Sequence, residues 1–147
     1  MSFRYKILLM YAIAVLCTLI IFRLISAQII REMLYLDLDE SLKAETEWMR
    51  NILKADINRN VPDEEIKREI MERSRLSPRK EYIEIYNIEG KEYFRSPNLD
   101  KDFLRMLIQN RLFEATTINN FRGESLRIYG VQDSIYEMYV GYPLGEI

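Results

Sequence analysis

Residues Ile7–Phe22 read ILLMYAIAVLCTLIIF, a run of sixteen largely apolar residues near the start of this 147-residue chain. A helix that spans the hydrocarbon core of a bilayer needs about 20 residues of this kind. The stretch from Tyr5 to Ser26 reaches that length, and Arg23 lies close to its end, where a long side chain can extend to the interface. The sequence therefore predicts a transmembrane helix at 5–26, surrounded by the lipid bilayer.

The charges on the two sides of this segment predict its orientation. Arg4 and Lys6 precede it, whereas the other side opens with Arg31 and Glu32 and continues with several carboxylates. Lys and Arg concentrate on the cytoplasmic side of membrane helices. We therefore expect an inner (plasma) membrane protein with residues 1–4 in the cytoplasm and the bulk of the chain outside it.

A cleaved signal peptide is the alternative interpretation of the same segment. The stretch Ile25–Ala27 ends on a small residue and would make a passable cleavage site. Apolar cores of signal peptides are about 7–15 residues long and end shortly before the cut. The run here is longer and continues into a helical pattern, which favours a retained anchor.

Composition excludes several classes of function. Residues 31–147 carry 18 of the 21 basic side chains and all 23 acidic ones, a net charge of −5, whereas nucleic-acid binding needs a strongly basic domain. The chain has no histidine and a single cysteine, Cys17, so His-based nucleophile pairs and zinc sites are excluded. Nucleotide-binding glycine motifs are also absent from the sequence, and the Glu64–Glu65 pair fits a solvated helix face. We expect no catalysis and no cofactor in this fragment.

Helical periodicity continues beyond the apolar run. It predicts a long helix over 27–57 and a second helix that begins after Pro62 and ends at about 73–76, before Ser77. The long helix carries an apolar stripe that must be buried against its own domain, against a second copy of the chain, or both. The stripe consists of Leu34, Leu38, Leu42, Met49, Ile52 and Leu53, with Trp48 beside them.

The pattern then changes to a period of two. Glu81–Tyr86 alternates, with Ile83 and Ile85 on one face, and Gly90 lies in the hairpin loop that follows. Further strands are predicted at 93–96, 115–119, 125–131 and 135–142. One helix is predicted from Pro97 to about Arg111, with an inward apolar face of Leu99, Phe103, Leu104, Leu107 and Ile108. The fold class is therefore α+β: a five-stranded antiparallel PAS-like sheet with flanking helices, within a sensor region at 27–142 whose PAS-like core covers 62–142.

Two stretches resemble membrane-bound sensor histidine kinases of two-component systems. The first is the basic Phe3–Lys6, the apolar run and then Leu36–Glu45, which reads LDLDESLKAE. The second is Tyr139–Ile147, which is similar to a last sensor strand leading into a second membrane helix, with residues 143–147 as the start of that linker.

The resemblance implies an extracytoplasmic signal-sensing domain that acts as a homodimer through helix 27–57. It would move that helix in response to a small ligand of unknown identity. Kinase activity and contact with a response regulator would belong to cytoplasmic domains beyond this fragment. The alternatives are the sensor domain of a chemoreceptor or of a cyclic-dinucleotide enzyme, a single-pass interaction or assembly protein, and a secreted binding module released after Ala27.

Five side chains are predicted to form a ligand pocket on one sheet face, where arginines and tyrosine hydroxyls would hold a carboxylate or a phosphate-like group. They are Tyr82, Tyr86, Arg95, Arg127 and Tyr129. The alternative is a solvated sheet surface with aromatic cross-strand pairs. A second hypothesis, a divalent cation at Asp37, Asp39 and Glu40, is disfavoured because neighbouring helix positions diverge.

Overall fold

The computed structural model describes residues 3–77, 80–100, 104–108 and 111–146. The helices of these ranges are α1 (Phe3–Arg59), α2 (Asp63–Leu76) and the short α3 (Leu104–Ile108). The strands are β1 (Tyr82–Asn87), β2 (Glu92–Arg95), β3 (Thr116–Phe121), β4 (Glu124–Gln132) and β5 (Tyr136–Pro143). Short 3₁₀ turns lie at Pro97–Leu99 and Leu144–Glu146.

The chain divides into two compact units, residues 1–37 and 38–147, and the boundary between them falls within α1. In the first unit the large apolar side chains from Phe3 to Leu36 are exposed. Among the described residues, this is the one segment long and apolar enough to span a membrane. A helix that is apolar on all sides is stable when lipid surrounds it.

The second unit begins with the amphipathic part of α1. The predicted stripe is buried from Leu38 onwards, where Leu42, Met49 and Leu53 lie at helical spacing, while Leu34 of the first unit is exposed. Full burial of each such side chain stabilises the fold by roughly 1.5–3 kcal/mol. α1 ends at Arg59, because Asn60 has a φ of 53°, and α2 follows directly after Pro62.

The sheet has the strand order β2-β1-β5-β4-β3, and all four neighbouring pairs are antiparallel. Each strand begins and ends within two residues of its predicted position. The α+β class with a PAS-like five-stranded antiparallel sheet and flanking helices is therefore confirmed.

The two faces of this sheet bury different cores. The helix face, defined by Ile83 and Ile85, packs with the buried side chains of α1 and α2. The α3 face, defined by Tyr82, Glu84 and Tyr86, lies in a second core with residues of the 3₁₀ turn and of α3. The predicted alternation of β1 is confirmed, because Ile83 and Ile85 share one face and the residues between them share the other.

The single helix predicted from Pro97 to Arg111 is wrong. Pro97 begins a 3₁₀ turn that ends at Leu99, and Asp100 has a φ of 53° and a ψ of −113°, which no helix accommodates. α3 begins only at Leu104. The predicted inward side chains are nevertheless buried or half-buried where described (Leu99, Leu104, Leu107, Ile108), whereas Phe103 lies outside the described residues.

Candidate functional site

Three of the five residues predicted to line a pocket lie together on the α3 face. Tyr82 and Tyr86 project from β1, and Arg95 of β2 pairs in register with Glu84 between them. Both tyrosines are buried, and the Tyr82 ring meets the ring of Phe121 edge-on at a centroid distance of 5.5 Å. Alternation along β1 and antiparallel pairing with β2 bring these side chains to one place.

Glu84 occupies the centre of this group and is fully buried. Its Oε2 accepts hydrogen bonds from the backbone N–H groups of Leu104, at 2.6 Å, and Arg105, at 3.2 Å. Its Oε1 accepts a hydrogen bond from the Tyr86 hydroxyl and lies 3.4 Å from Nη2 of Arg95. The sequence predicts that the arginine and tyrosine side chains of this face bind the carboxylate of a ligand. In the structure they bind a carboxylate of the protein itself, that of Glu84.

A second set of contacts closes this face from the α3 side. The guanidinium of Arg105 lies over the Tyr86 ring at 4.9 Å and pairs with Glu137 at 3.2 Å. The Tyr139 hydroxyl donates a hydrogen bond to the same Glu137 carboxylate. Burial, followed by the neighbouring carboxylates, raises the pKa of both Tyr86 and Tyr139 well above the ordinary tyrosine value, so both hydroxyls act as donors.

Arg127 and Tyr129 do not join the other three residues, so the prediction that all five share one face is wrong. In the ladder between β4 and β5, Arg127 is opposite Tyr142 and Tyr129 is opposite Val140, both of which belong to the core of the helix face. The sequence pattern of β4 permits either register, and a shift of one residue moves a side chain to the other face.

Arg127 forms a two-pronged ion pair with Asp39 of α1. Its Nε and Nη2 atoms donate to the two carboxylate oxygens at 2.8 and 2.7 Å, and its Nη1 donates to the Thr117 hydroxyl at 2.7 Å. Both charged side chains are largely buried. Two parallel charge-assisted bonds fix geometry as well as charge, so this pair joins α1 to the middle of β4.

Tyr129 lies beneath α1 and lines a cavity of about 240 Å³ with Lys43, Glu47, Arg50 and Phe113. Burial, and then the charge of Glu47, raises the pKa of its hydroxyl. The cavity contains charges of both signs. No feature of it favours one class of ligand.

A divalent cation at Asp37, Asp39 and Glu40 is the hypothesis that the sequence pattern disfavours. Asp39 is bound to Arg127, as described above, and this occupies its carboxylate. The described residues contain no group of three or more side chains placed to hold a metal ion.

A groove of about 830 Å³ lies between α1, α2 and the residues that precede β1. We call it the Glu81 groove, after the carboxylate at its inner end. Its lining residues are Ser41, Ala44, Glu45, Trp48, Glu69, Glu72, Arg73, Leu76, Ser77, Glu81 and Tyr142.

Glu81 is a buried carboxylate with an incomplete set of partners. Its Oε1 accepts hydrogen bonds from the Ser77 hydroxyl and, at 3.1 Å, from the Tyr142 hydroxyl. Its Oε2 is buried and has no hydrogen-bond partner among the described residues, and the residue as a whole is only 4% exposed. Burial raises the pKa of Glu81, and the nearby charge of Glu45 adds to this effect, against the hydrogen bonds of Ser77 and Tyr142 and the charge of Arg73.

The outer part of the groove already holds a cationic side chain. The guanidinium of Arg73 lies 4.0 Å from the centre of the Trp48 ring, and its Nε is 3.1 Å from Oε1 of Glu45. An aromatic face with a carboxylate beside it is a common arrangement for binding cations.

Sequence reasoning missed Glu81 and Glu84 as site residues. A signal was present for Glu84, because a carboxylate at an inward position between two tyrosines of a strand must find donors when the strand is buried. For Glu81 the sequence carries no such signal, since apart from the nearby Ser77 its surroundings come from α1, α2 and β5.

Comparison of the chain with protein-family models, with curated proteins and with solved structures finds no match.

Proposed function

We propose that this chain is the extracytoplasmic input region of a membrane-bound sensor histidine kinase, and that it transmits a stimulus across the membrane by displacement of α1 in a dimer. The observation that carries the proposal is the contrast within α1. Its residues up to Leu36 expose large apolar side chains, whereas those from Leu38 to Leu53 pack on a PAS-like sheet. Such a helix suits a domain that must communicate with a membrane.

Charge supports the orientation in this proposal. Arg4 and Lys6 precede the apolar segment, and the net charge of residues 31–147 is −5. With the basic end in the cytoplasm, the PAS-like domain lies on the outer side of the inner (plasma) membrane, where it meets extracellular or periplasmic stimuli.

The contacts of the second unit supply a mechanical link between sheet and helix. Leu38 and Leu42 are buried against the helix face, and Asp39 is held by Arg127 of β4. When the sheet shifts, this part of α1 therefore moves with it. A ligand produces such a change only to the extent that it binds one arrangement better than the other.

The proposed dimer forms through helix 27–57, with a second copy of the chain covering apolar side chains of α1. Ile29, Ile30 and Met33 are exposed on this segment and are available for that contact. Catalysis and phosphotransfer to a response regulator are assigned to cytoplasmic domains outside this fragment, since the fragment has no histidine.

Cysteine labelling tests the membrane placement. In a Cys17→Ser background, single cysteines replace Ile88, which is exposed in the β1–β2 turn, and Ser2. A membrane-impermeant maleimide applied to intact cells should label the cysteine at 88 and should label the one at 2 only after permeabilisation. The reverse pattern would overturn the orientation, and labelling of both positions in intact cells would overturn the anchor.

The coding sequence after Ile147 tests the kinase assignment. We expect a second apolar span, a helix pair that bears the phosphoacceptor histidine, and an ATP-binding domain. A stop codon at that point, or a different output domain, would overturn the assignment to a histidine kinase.

A further inference from the structure

We propose that the Glu81 groove is a binding site for a small organic cation that carries ammonium groups, of the polyamine class. This inference deepens the proposed sensing function, because it names a ligand class and a location for the stimulus. Binding itself depends only on the groove and can be measured without any output domain.

One carboxylate oxygen of Glu81, Oε2, is buried without a hydrogen-bond partner among the described residues. A buried carboxylate normally has its lone pairs satisfied, because burying a charged acceptor without donors costs several kcal/mol. Ser77 and Tyr142 serve only one of the two oxygens. A ligand that brings an N–H donor to Oε2 would give both carboxylate oxygens of Glu81 a hydrogen-bond partner.

The charge of the groove selects the sign of that ligand. Among the described residues, its lining has four carboxylates, Glu45, Glu69, Glu72 and Glu81, and one guanidinium, that of Arg73. An anion would be repelled from such a surface, whereas a cation is concentrated there. An ammonium group meets both requirements, since it carries a positive charge and three donors.

The cation is organic rather than a metal ion. Among the described residues no three acidic side chains lie close enough together to coordinate a metal, and hard divalent cations need six or more oxygen ligands at short range. The volume of about 830 Å³ falls within the range of small-molecule sites and far exceeds what an ion needs.

Arg73 shows how the groove holds a cation. Its guanidinium lies on Trp48 and pairs with Glu45, while the inner end at Glu81 keeps an oxygen without a donor. A linear polyamine can place one ammonium at Glu81 and a second among the outer carboxylates. Oε2 is buried in the free protein. Leu76 and Arg73 line the groove with exposed side chains, which can change conformation at little packing cost when a ligand enters.

The groove is also placed to affect α1. Glu45 and Trp48 belong to α1, whereas Glu81 precedes β1. A ligand that contacts both α1 and Glu81 would favour the arrangement in which the distance between them matches the length of the ligand. This preference for one arrangement is the differential binding that signalling requires.

Isothermal titration calorimetry with spermidine tests the site, using the full chain in detergent micelles. We expect saturable binding of spermidine and none of 1,4-butanediol, which has a similar carbon spacing but no charge. Glu81→Gln should weaken the affinity by about tenfold or more, because it removes a charge-assisted hydrogen bond while preserving shape.

Glu47→Gln is the matched control, since it removes one negative charge from the same helix as Glu45 but lies outside the groove. Its affinity for spermidine should equal that of the wild type. Absence of saturable binding, or equal weakening by the two substitutions, would overturn the site. Spermidine binding by a chain whose output domain is not a kinase would leave this inference standing and remove only the proposed function.

Discussion

Glu81 and Glu84 are three residues apart in the sequence, and both are almost completely buried, yet their surroundings differ. Glu84 lies on the α3 face and receives donors at both oxygens, from two backbone N–H groups, a tyrosine hydroxyl and an arginine. Glu81 lies in the Glu81 groove, and one of its oxygens has no hydrogen-bond partner among the described residues. Glu84 is a residue of β1 itself, whereas Glu81 precedes this strand and lies at the inner end of the groove between α1 and α2.

The difference separates a structural carboxylate from a candidate binding carboxylate. Glu84 stabilises the fold, since it anchors the start of α3 to β1 through hydrogen bonds from the backbone N–H groups of Leu104 and Arg105. Glu81 holds a less favourable position that a ligand could improve. Substitutions at the two positions should therefore have opposite effects on stability.

The largest expected effect is at Glu84. Glu84→Ala removes the acceptor of the Leu104 and Arg105 N–H groups and of the Tyr86 hydroxyl, and loss of one partner from a buried charged network costs about 3–5 kcal/mol. Urea unfolding of the full chain in micelles, followed by the fluorescence of the single tryptophan, Trp48, measures this loss.

Glu92→Ala is the control for this prediction, because Glu92 is the other carboxylate bound to Arg95, at 2.6 Å, and is half exposed. It should cost less than about 1 kcal/mol. Equal losses in the two variants would mean that Glu84 acts only as a counter-ion of Arg95 and not as the anchor of α3.

The second-largest effect on stability is expected on the helix face, at the ion pair formed by Asp39 and Arg127. Asp39→Ala should lower the free energy of unfolding by about 1–3 kcal/mol, since two charge-assisted hydrogen bonds in a largely buried setting are lost. Glu40→Ala, at the next and exposed position of α1, should change stability by less than about 0.5 kcal/mol. A double-mutant cycle with Arg127→Ala isolates the pair, and a coupling energy near zero would contradict the assigned link.

Much of the fold could be predicted from the sequence. The change from helical to alternating periodicity identified β1, and turn residues such as Gly90 and Pro62 bounded the elements. The helix at 97–111 was predicted wrongly because its apolar spacing reflects burial of Leu99 and Leu104 in one core, which a broken segment satisfies as well as a continuous helix.

The candidate sites could be predicted only in part. The grouping of Tyr82, Tyr86 and Arg95 followed from alternation and from pairing of neighbouring strands. The register of β4 decides on which face Arg127 lies, and its partner Asp39 is 88 residues away. The burial and the hydrogen bonds of Glu81 depend on how α1, α2 and β5 pack around it. Periodicity along the sequence does not predict which of these elements pack together.

Substitution of Glu81 is expected to have a smaller effect on the free energy of unfolding, and one of opposite sign to the effect at Glu84. The folded-state pKa of Glu81 is raised above its ordinary value of 4.5 by burial, so the folded protein holds this proton more tightly than the unfolded chain does. The stability that Glu81 contributes is present in full below that ordinary value and is lost as the pH rises through the folded-state pKa. Glu81→Gln removes this dependence and should stabilise the chain by about 1 kcal/mol at neutral pH, because a neutral amide is less costly to bury than a carboxylate.

Urea unfolding of wild type and Glu81→Gln between about pH 4 and about pH 8 checks the sign. The difference in unfolding free energy should grow in favour of the variant as the pH rises. A constant difference would show that Glu81 has the same pKa folded and unfolded, and the contrast with Glu84 would then rest on hydrogen bonding alone.

The smallest effect on stability is expected at Arg73, whose side chain is 48% exposed. Arg73→Ala removes a cation from the face of Trp48 and an exposed ion pair with Glu45, contacts that together are worth about 1 kcal/mol or less. Its effect on ligand binding should be opposite to that of Glu81→Gln, because it removes a positive charge that competes with spermidine for the groove. Calorimetry should show tighter binding in Arg73→Ala and unchanged binding in Arg68→Ala, an exposed residue of α2 that lines neither the Glu81 groove nor the neighbouring cavity that Glu81 shares with Arg75. Weaker binding in Arg73→Ala would mean that the guanidinium holds the ligand, and the groove would then have to be reassigned to a molecule that carries a carboxylate as well as an ammonium group.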